Sequence, residues 1–340
     1  MATVETTTPE AVPSRARWLG RRMTPNLFSI CFGLAGLAEV WQASVSALGT
    51  PQAVPDALNI LAAVVWVGLV AVYAAQGMRQ IRADLHDPVF AAFPSLAFVT
   101  GMLLSAALSR HAFSAGRALV VLFFVLMLLL GGWLTGQWMA APLERERMHP
   151  GYFLPTVAGG FIGAATTAQV GLHGLAQASF GIGVLCWVML GSVILGRLFF
   201  TGMLPPPLIP TLAIELAPPA VGGLAYFTIT GGRTDMFAAA LAGYTVLMAL
   251  VQLRFVPLYR TLSFSPAFWA FAFSYAAAFT DGIVWMDLKH TPGTHFWTVV
   301  ILVVATGFIG AIAVRTVPLL LKGALFPAKA QPVPAAPAAN

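Results

Sequence analysis

The chain has 340 residues, 59% of them hydrophobic and only 9% charged, with a mean hydropathy of +0.83. A soluble domain carries roughly 25% charged residues, so a water-facing globular fold is excluded. The net charge of +6 is scattered singly at the ends of apolar runs, which excludes a nucleic-acid-binding patch.

Residues 1–24 are polar, with Arg15, Arg17, Arg21 and Arg22 just ahead of the first apolar run. They lack the basic, apolar and small-residue order of a cleavable signal peptide, and are expected to form a cytoplasmic N-terminal segment. Ten runs then approach the roughly 20 apolar residues that a helical span needs: 27–47, 57–78, 89–109, 117–139, 152–172, 175–196, 207–230, 236–256, 266–286 and 296–318. They are continuous rather than alternating, which selects helices over a β-barrel. An all-α polytopic membrane protein is predicted, with a ten-helix transmembrane domain over 25–322. The Ala/Pro-rich stretch 323–340 is expected to be a disordered cytoplasmic tail. Cys31 and Cys186 lie inside apolar runs and read as buried small hydrophobes.

Loop charge orients the spans. Fourteen of the 18 Lys and Arg residues fall on the N-terminal side, and Arg110, Arg117, Arg233 and Lys289 on the other. The positive-inside rule puts both termini in the cytoplasm.

Odd spans begin near 27, 89, 152, 207 and 266, a recurrence of about 60 residues that suggests five helical hairpins. Interior prolines follow the same alternation: Pro94 in the third span, Pro155 in the fifth, Pro210, Pro218 and Pro219 in the seventh, Pro266 at the start of the ninth. Proline removes a backbone hydrogen bond, and the freed carbonyls need protein or water beside them in a bilayer. Odd spans are therefore expected to face an interior and even spans lipid. Glu39 and Glu215 lie well inside their spans, where a carboxylate is costly and commonly functional. Packing between helices as protonated or paired structural carboxylates is the competing reading. Gly159, Gly160 and Gly163 suit close helix packing. The six histidines lie in loops or at span ends without metal-ligand spacing. No cofactor, metal or catalytic set is predicted.

In the ninth span, Trp269 and Phe273 share one helix face, and Phe268 and Phe271 another. Aromatics on two faces suit core packing, or a pore on one side.

At Trp269-Ala270-Phe271-Ala272-Phe273 the sequence resembles the tellurite-resistance/dicarboxylate transporter family, which takes in bacterial tellurite-resistance proteins and plant slow-type anion channels. Thr24 to Leu37 is similar to the family's opening segment, His86-Asp87-Pro88 to the motif before its third helix, and His149 to Ala158 to the start of its fifth. Leu216-Ala217-Pro218-Pro219-Ala220-Val221 resembles its seventh. The matches fall in order across most of 24–320. The resemblance implies five hairpins in a ring, odd helices around a central pore, and a homotrimer with one pore per subunit. It implies a pore closed by a phenylalanine of the ninth helix, which matches Phe273, with Phe271 as the fallback. Ser29 matches a small pore-lining position, and Gly33, Pro94, Pro155, Pro218 and Pro219 are further lining candidates. The family's first helix usually has proline where this chain has Cys31, so that span is expected to be straighter. The implied activity is a gated channel for small anions. A proton-coupled carrier of C4-dicarboxylate or tellurite-like oxyanions, using Glu39 or Glu215, is the alternative.

Overall fold

The computed structural model describes residues 21–141 and 144–326, and these form helices with no strand among them. In chain order the α-helices are α1 (Ser29–Leu48), α2 (Ala53–Ala75), α3 (Met78–His86), α4 (Ser95–Ser109), α5 (Phe113–Ala140), α6 (Gly159–Gln169), α7 (His173–Phe200), α8 (Ala217–Thr230), α9 (Met236–Tyr259), α10 (Trp269–Leu288) and α11 (Thr294–Leu321). The 3₁₀ turns Pro25–Phe28, Pro206–Leu216 and Pro266–Phe268 lead into α1, α8 and α10. Each begins with a proline in its first turn, where the missing N–H is no loss.

Eight helices, counted with these lead-ins, are long and apolar enough to cross a bilayer. The third and fifth expected spans are not among them. Residues 88–94 run in turns, and α4 has only 15 residues, or about 22 Å at 1.5 Å per residue, short of a hydrocarbon core of about 30 Å. In the fifth, a 3₁₀ turn (Pro150–Phe153) and a π turn (Leu154–Ala158) precede α6. Pro155 has no N–H to donate, and the helix widens around it.

The elements pack in a cyclic order: α1 on α4, α4 on α6, α6 on α8, α8 on α10, and α10 on α1. The intervening α2, α5, α7, α9 and α11 pack outside them. Burial follows this division. The apolar windows of the α1, α8 and α10 segments are 72%, 83% and 56% buried, against 22–28% for α2, α5, α7, α9 and α11. The exposed faces of the second group are rich in Leu, Val and Phe, which suits lipid and not water.

Two close approaches depend on glycine. A Cβ on Gly33 would lie 2.6 Å from the Cβ of Ala272, so α1 and α10 meet nearly backbone to backbone. A Cβ on Gly160 would lie 2.5 Å from the backbone N of Gly183, and Ser179 Oγ donates to the Gly160 carbonyl at 2.7 Å.

Hydrogen bonds lock the end at which the described chain begins and ends, at residues 21 and 326. Asp84, fully buried, pairs with Arg22 and accepts from Tyr73 Oη at 3.1 Å and Gln80 Nε2 at 3.0 Å. Tyr152 Oη donates to the Pro88 carbonyl at 2.7 Å, and His149 Nε2 to that of Val89 at 3.2 Å. His149 Nδ1 accepts from the Gly151 N–H at 3.1 Å, which requires a neutral ring. Burial pushes its pKa down to about 4, so neutrality holds at ordinary pH. After α11 the chain turns back through Gly323–Phe326, where Arg21 donates to the Gly323 and Phe326 carbonyls. Residues 1–20 and 327–340, most of the two expected terminal segments, lie outside the described residues.

Candidate functional site

Helical periodicity places Ser29, Phe32, Gly36, Glu39, Ala43 and Ser46 on one stripe of the first span. The same spacing aligns Pro266, Ala270, Phe273, Ala277, Thr280 and Val284 along the ninth. These two stripes, with residues of the α4, α6 and α8 segments, line two cavities. The cavity nearer the termini, about 370 Å³, is walled by Asn26, Ser29, Phe32, Leu96, Phe161 and Trp269 among others. The opposite cavity, about 470 Å³, is walled by Gly36, Glu39, Gln42, Thr166, Gln169, Thr228 and Thr280 among others.

Phe273 and Val221 line both cavities and so form the partition between them. The Phe273 ring stacks on Phe32, with centroids 3.5 Å apart and planes 14° from parallel. Phe161 closes the terminal side of this layer and Ile162 the opposite side. A Cβ on Gly36 would come within 3.0 Å of Phe273 Cδ2, so this glycine makes room for the ring.

All five lining elements run in the same direction. Their first residues (Asn26, Phe93, Leu154, Leu208 and Ala267) line the cavity near the termini, and their last turns (Ser46, Ala106, Gln169, Thr228 and Val284) line the opposite one. Helix N-termini carry partial positive charge and C-termini partial negative charge. The first cavity is therefore biased towards anions. No Lys or Arg lines either cavity among the described residues.

The other sequence-derived candidates are distributed as follows. Ser29 and Pro218 line the cavity near the termini. Gly33 faces Trp269 and Ala272 at the α1–α10 contact, away from both cavities. Pro94 is the residue before α4, and Pro155 lies in the π turn with its carbonyl against Gly131 of α5. Pro219 is buried in the first turn of α8. Phe271 points outward into a cluster with Tyr259, Phe268, Tyr275 and Phe308. Cys31 is fully buried and donates to the Phe28 carbonyl at 3.0 Å, and α1 continues unbroken past it.

The two glutamates separate. Glu39 lines the opposite cavity, whereas Glu215 lines neither, is buried in the 3₁₀ lead-in to α8, and leaves Oε1 without a hydrogen-bond partner. Asp281 is a third intramembrane carboxylate that the sequence reading passes over. It is 5% exposed, its Oδ1 has no partner, and a Cβ on Gly223 would lie 2.7 Å from that oxygen. The rule that marks Glu39, a carboxylate inside an apolar run, would have found it.

Comparison with known proteins identifies the family. The profile of the SLAC1 family, described as voltage-dependent anion channel, matches residues 22–317. A tellurite resistance protein TehA homolog of Haemophilus influenzae is 29% identical over 303 residues, covering 88% of this chain and 91% of its own. The S-type anion channel SLAH3 of Arabidopsis thaliana is 23% identical over 337 residues, covering 92% of this chain and 52% of its own, so the chain spans about half of that plant protein. The chain belongs to the SLAC1 voltage-dependent anion channel family.

Proposed function

We propose that this family member is a gated channel for small anions, with ten membrane-crossing segments arranged as five hairpins around one pore. The broken third and fifth segments count among the ten. The pore runs along the common axis of the two cavities, and Phe273 is its gate. The reading includes a homotrimer with one pore per subunit, in a bacterial inner membrane, with both termini cytoplasmic.

The observation that carries this reading is the double exposure of Phe273, whose side chain borders both cavities while stacked on Phe32. A bulky apolar ring between two chambers excludes ions by volume and by dewetting. Anions reach it from the side where helix N-termini collect. With no lining Lys or Arg to trap them, they bind weakly and can leave, as conduction requires. Glu215, away from both cavities, has no part in permeation.

The test is current through purified protein in planar bilayers. Phe273→Ala is expected to open the partition and raise anion conductance well above that of the wild type. Unchanged current in a folded Phe273→Ala protein overturns the gate.

A further inference from the structure

The opposite cavity holds a group that anion conduction alone does not call for. Glu39 projects from the pore-facing stripe of α1, one turn beyond Gly36 and the Phe273 ring. It makes no ion pair or hydrogen bond among the described residues. The hydroxyls around it are already committed. Thr166 Oγ1 donates to the Ile162 carbonyl at 2.8 Å, Thr228 Oγ1 to Leu224 at 2.8 Å, Thr280 Oγ1 to Ala276 at 2.9 Å, and Ser46 Oγ to Ala43 at 3.0 Å. Each therefore presents lone pairs to the cavity. The helix ends that converge here are C-terminal and also repel anions. A carboxyl proton on Glu39 would be the one uncommitted hydroxyl donor in this wall, among the described residues.

We propose that Glu39 is the specificity-determining residue of this cavity, favouring anion entry when it carries a proton. Protonated, it donates a hydrogen bond to a small halide or oxyanion; deprotonated, it adds a full negative charge to an already repulsive chamber. The proton comes from the solution on that side and returns to it, so no other reactant is needed. This rests on the conduction reading above and assigns its regulation to one side.

The charged groups on elements packed against α1 leave Glu39 in this position. Arg110, at the end of α4, is the cation whose charge reaches it. Asp56 of α2 is paired with His111. Asp281 of α10 lies against Gly223 on the α8 side. Asp287 and His290, at the far end of α10, and His295 of α11 line a separate crevice beyond Ala47.

The experiment uses full-length Phe273→Ala protein in planar bilayers with chloride, acidifying one compartment at a time. Acid on one side only is expected to raise the current by roughly tenfold, the change that about 1.4 kcal/mol of relieved repulsion produces. Adding Glu39→Gln should hold the current near its acid level at every pH, and adding Glu39→Asp or Glu215→Gln should preserve the response. A full acid response in the Glu39→Gln protein, or none in its Phe273→Ala parent, overturns the proposal. If the parent carries no anion current at all, the conduction reading fails first. Normal elution of each variant as folded protein separates these outcomes from misfolding.

Discussion

The cavity near the termini and the cavity beyond Phe273 are lined by the same five elements, yet they differ in kind. The first gathers helix N-termini beneath a frame of hydrogen bonds, in which Asp84, His149 and Tyr152 tie distant segments together. The second gathers helix C-termini, hydroxyls turned to their own backbones, and the carboxylate of Glu39. Parallel packing of five helices imposes this asymmetry: one end must be electropositive and the other electronegative. On the proposed reading, an ion would meet attraction on one side of the Phe273 ring and a chargeable barrier on the other.

The largest expected effect comes from removing the partition itself. Phe273→Ala should raise conductance by on the order of tenfold or more. Phe271→Ala, only two residues away, should leave conductance low and destabilise the fold by about 3–5 kcal/mol, because its ring fills the cluster of Tyr259, Tyr275 and Phe308. Equal conductance changes from the two would erase the partition.

Acid should act oppositely on the two halves. It is expected to favour anion entry at Glu39 while weakening the frame near the termini through His149. That imidazole has a pKa of about 4 in the fold, against an ordinary value of 6.5. Between these values the unfolded chain binds the extra proton, so stability is complete above about pH 6.5 and declines as pH falls towards about 4. The loss should approach about 3 kcal/mol, read as a fall in Tm that His149→Gln flattens. A wild-type Tm unaffected by acid in this window would argue against a buried neutral His149.

Smaller effects test the packing of α10 against α1 and α11. Gly33→Ala forces a methyl to within 2.6 Å of Ala272 Cβ and should cost about 1–3 kcal/mol. Trp269→Phe deletes the Nε1 hydrogen bond to Thr316 Oγ1, 2.9 Å long, and should cost about 1 kcal/mol. Thermal unfolding in detergent ranks these variants, and the reverse order would place the tight seam elsewhere.

Much of the fold was legible because the bilayer demands long apolar helices. The alternation of interior prolines pointed to the buried set, which contains α1, α8 and α10. Span length was less legible at Pro94 and Pro155, since a run can stay apolar while proline shortens or widens the helix within it. The aromatic run of the ninth span suggested two faces, and packing sends Phe273 to the cavities and Phe271 outward. Sequence alone weighed Glu39 and Glu215 equally, because both satisfy the same burial rule. Only the rotation of each helix separates them. His149 read as an unremarkable loop histidine, since its partner Val89 lies 60 residues away. Asp281, inside the apolar run of the ninth span, satisfies the same burial rule and was equally legible.

The most direct test of a Phe273-gated anion pore is the reversal potential of the Phe273→Ala current under a salt gradient across a planar bilayer. The account predicts a large current reversing near the chloride equilibrium potential, with the wild type nearly silent under the same gradient. A current reversing near the cation equilibrium potential, or no difference between the two proteins, would contradict it.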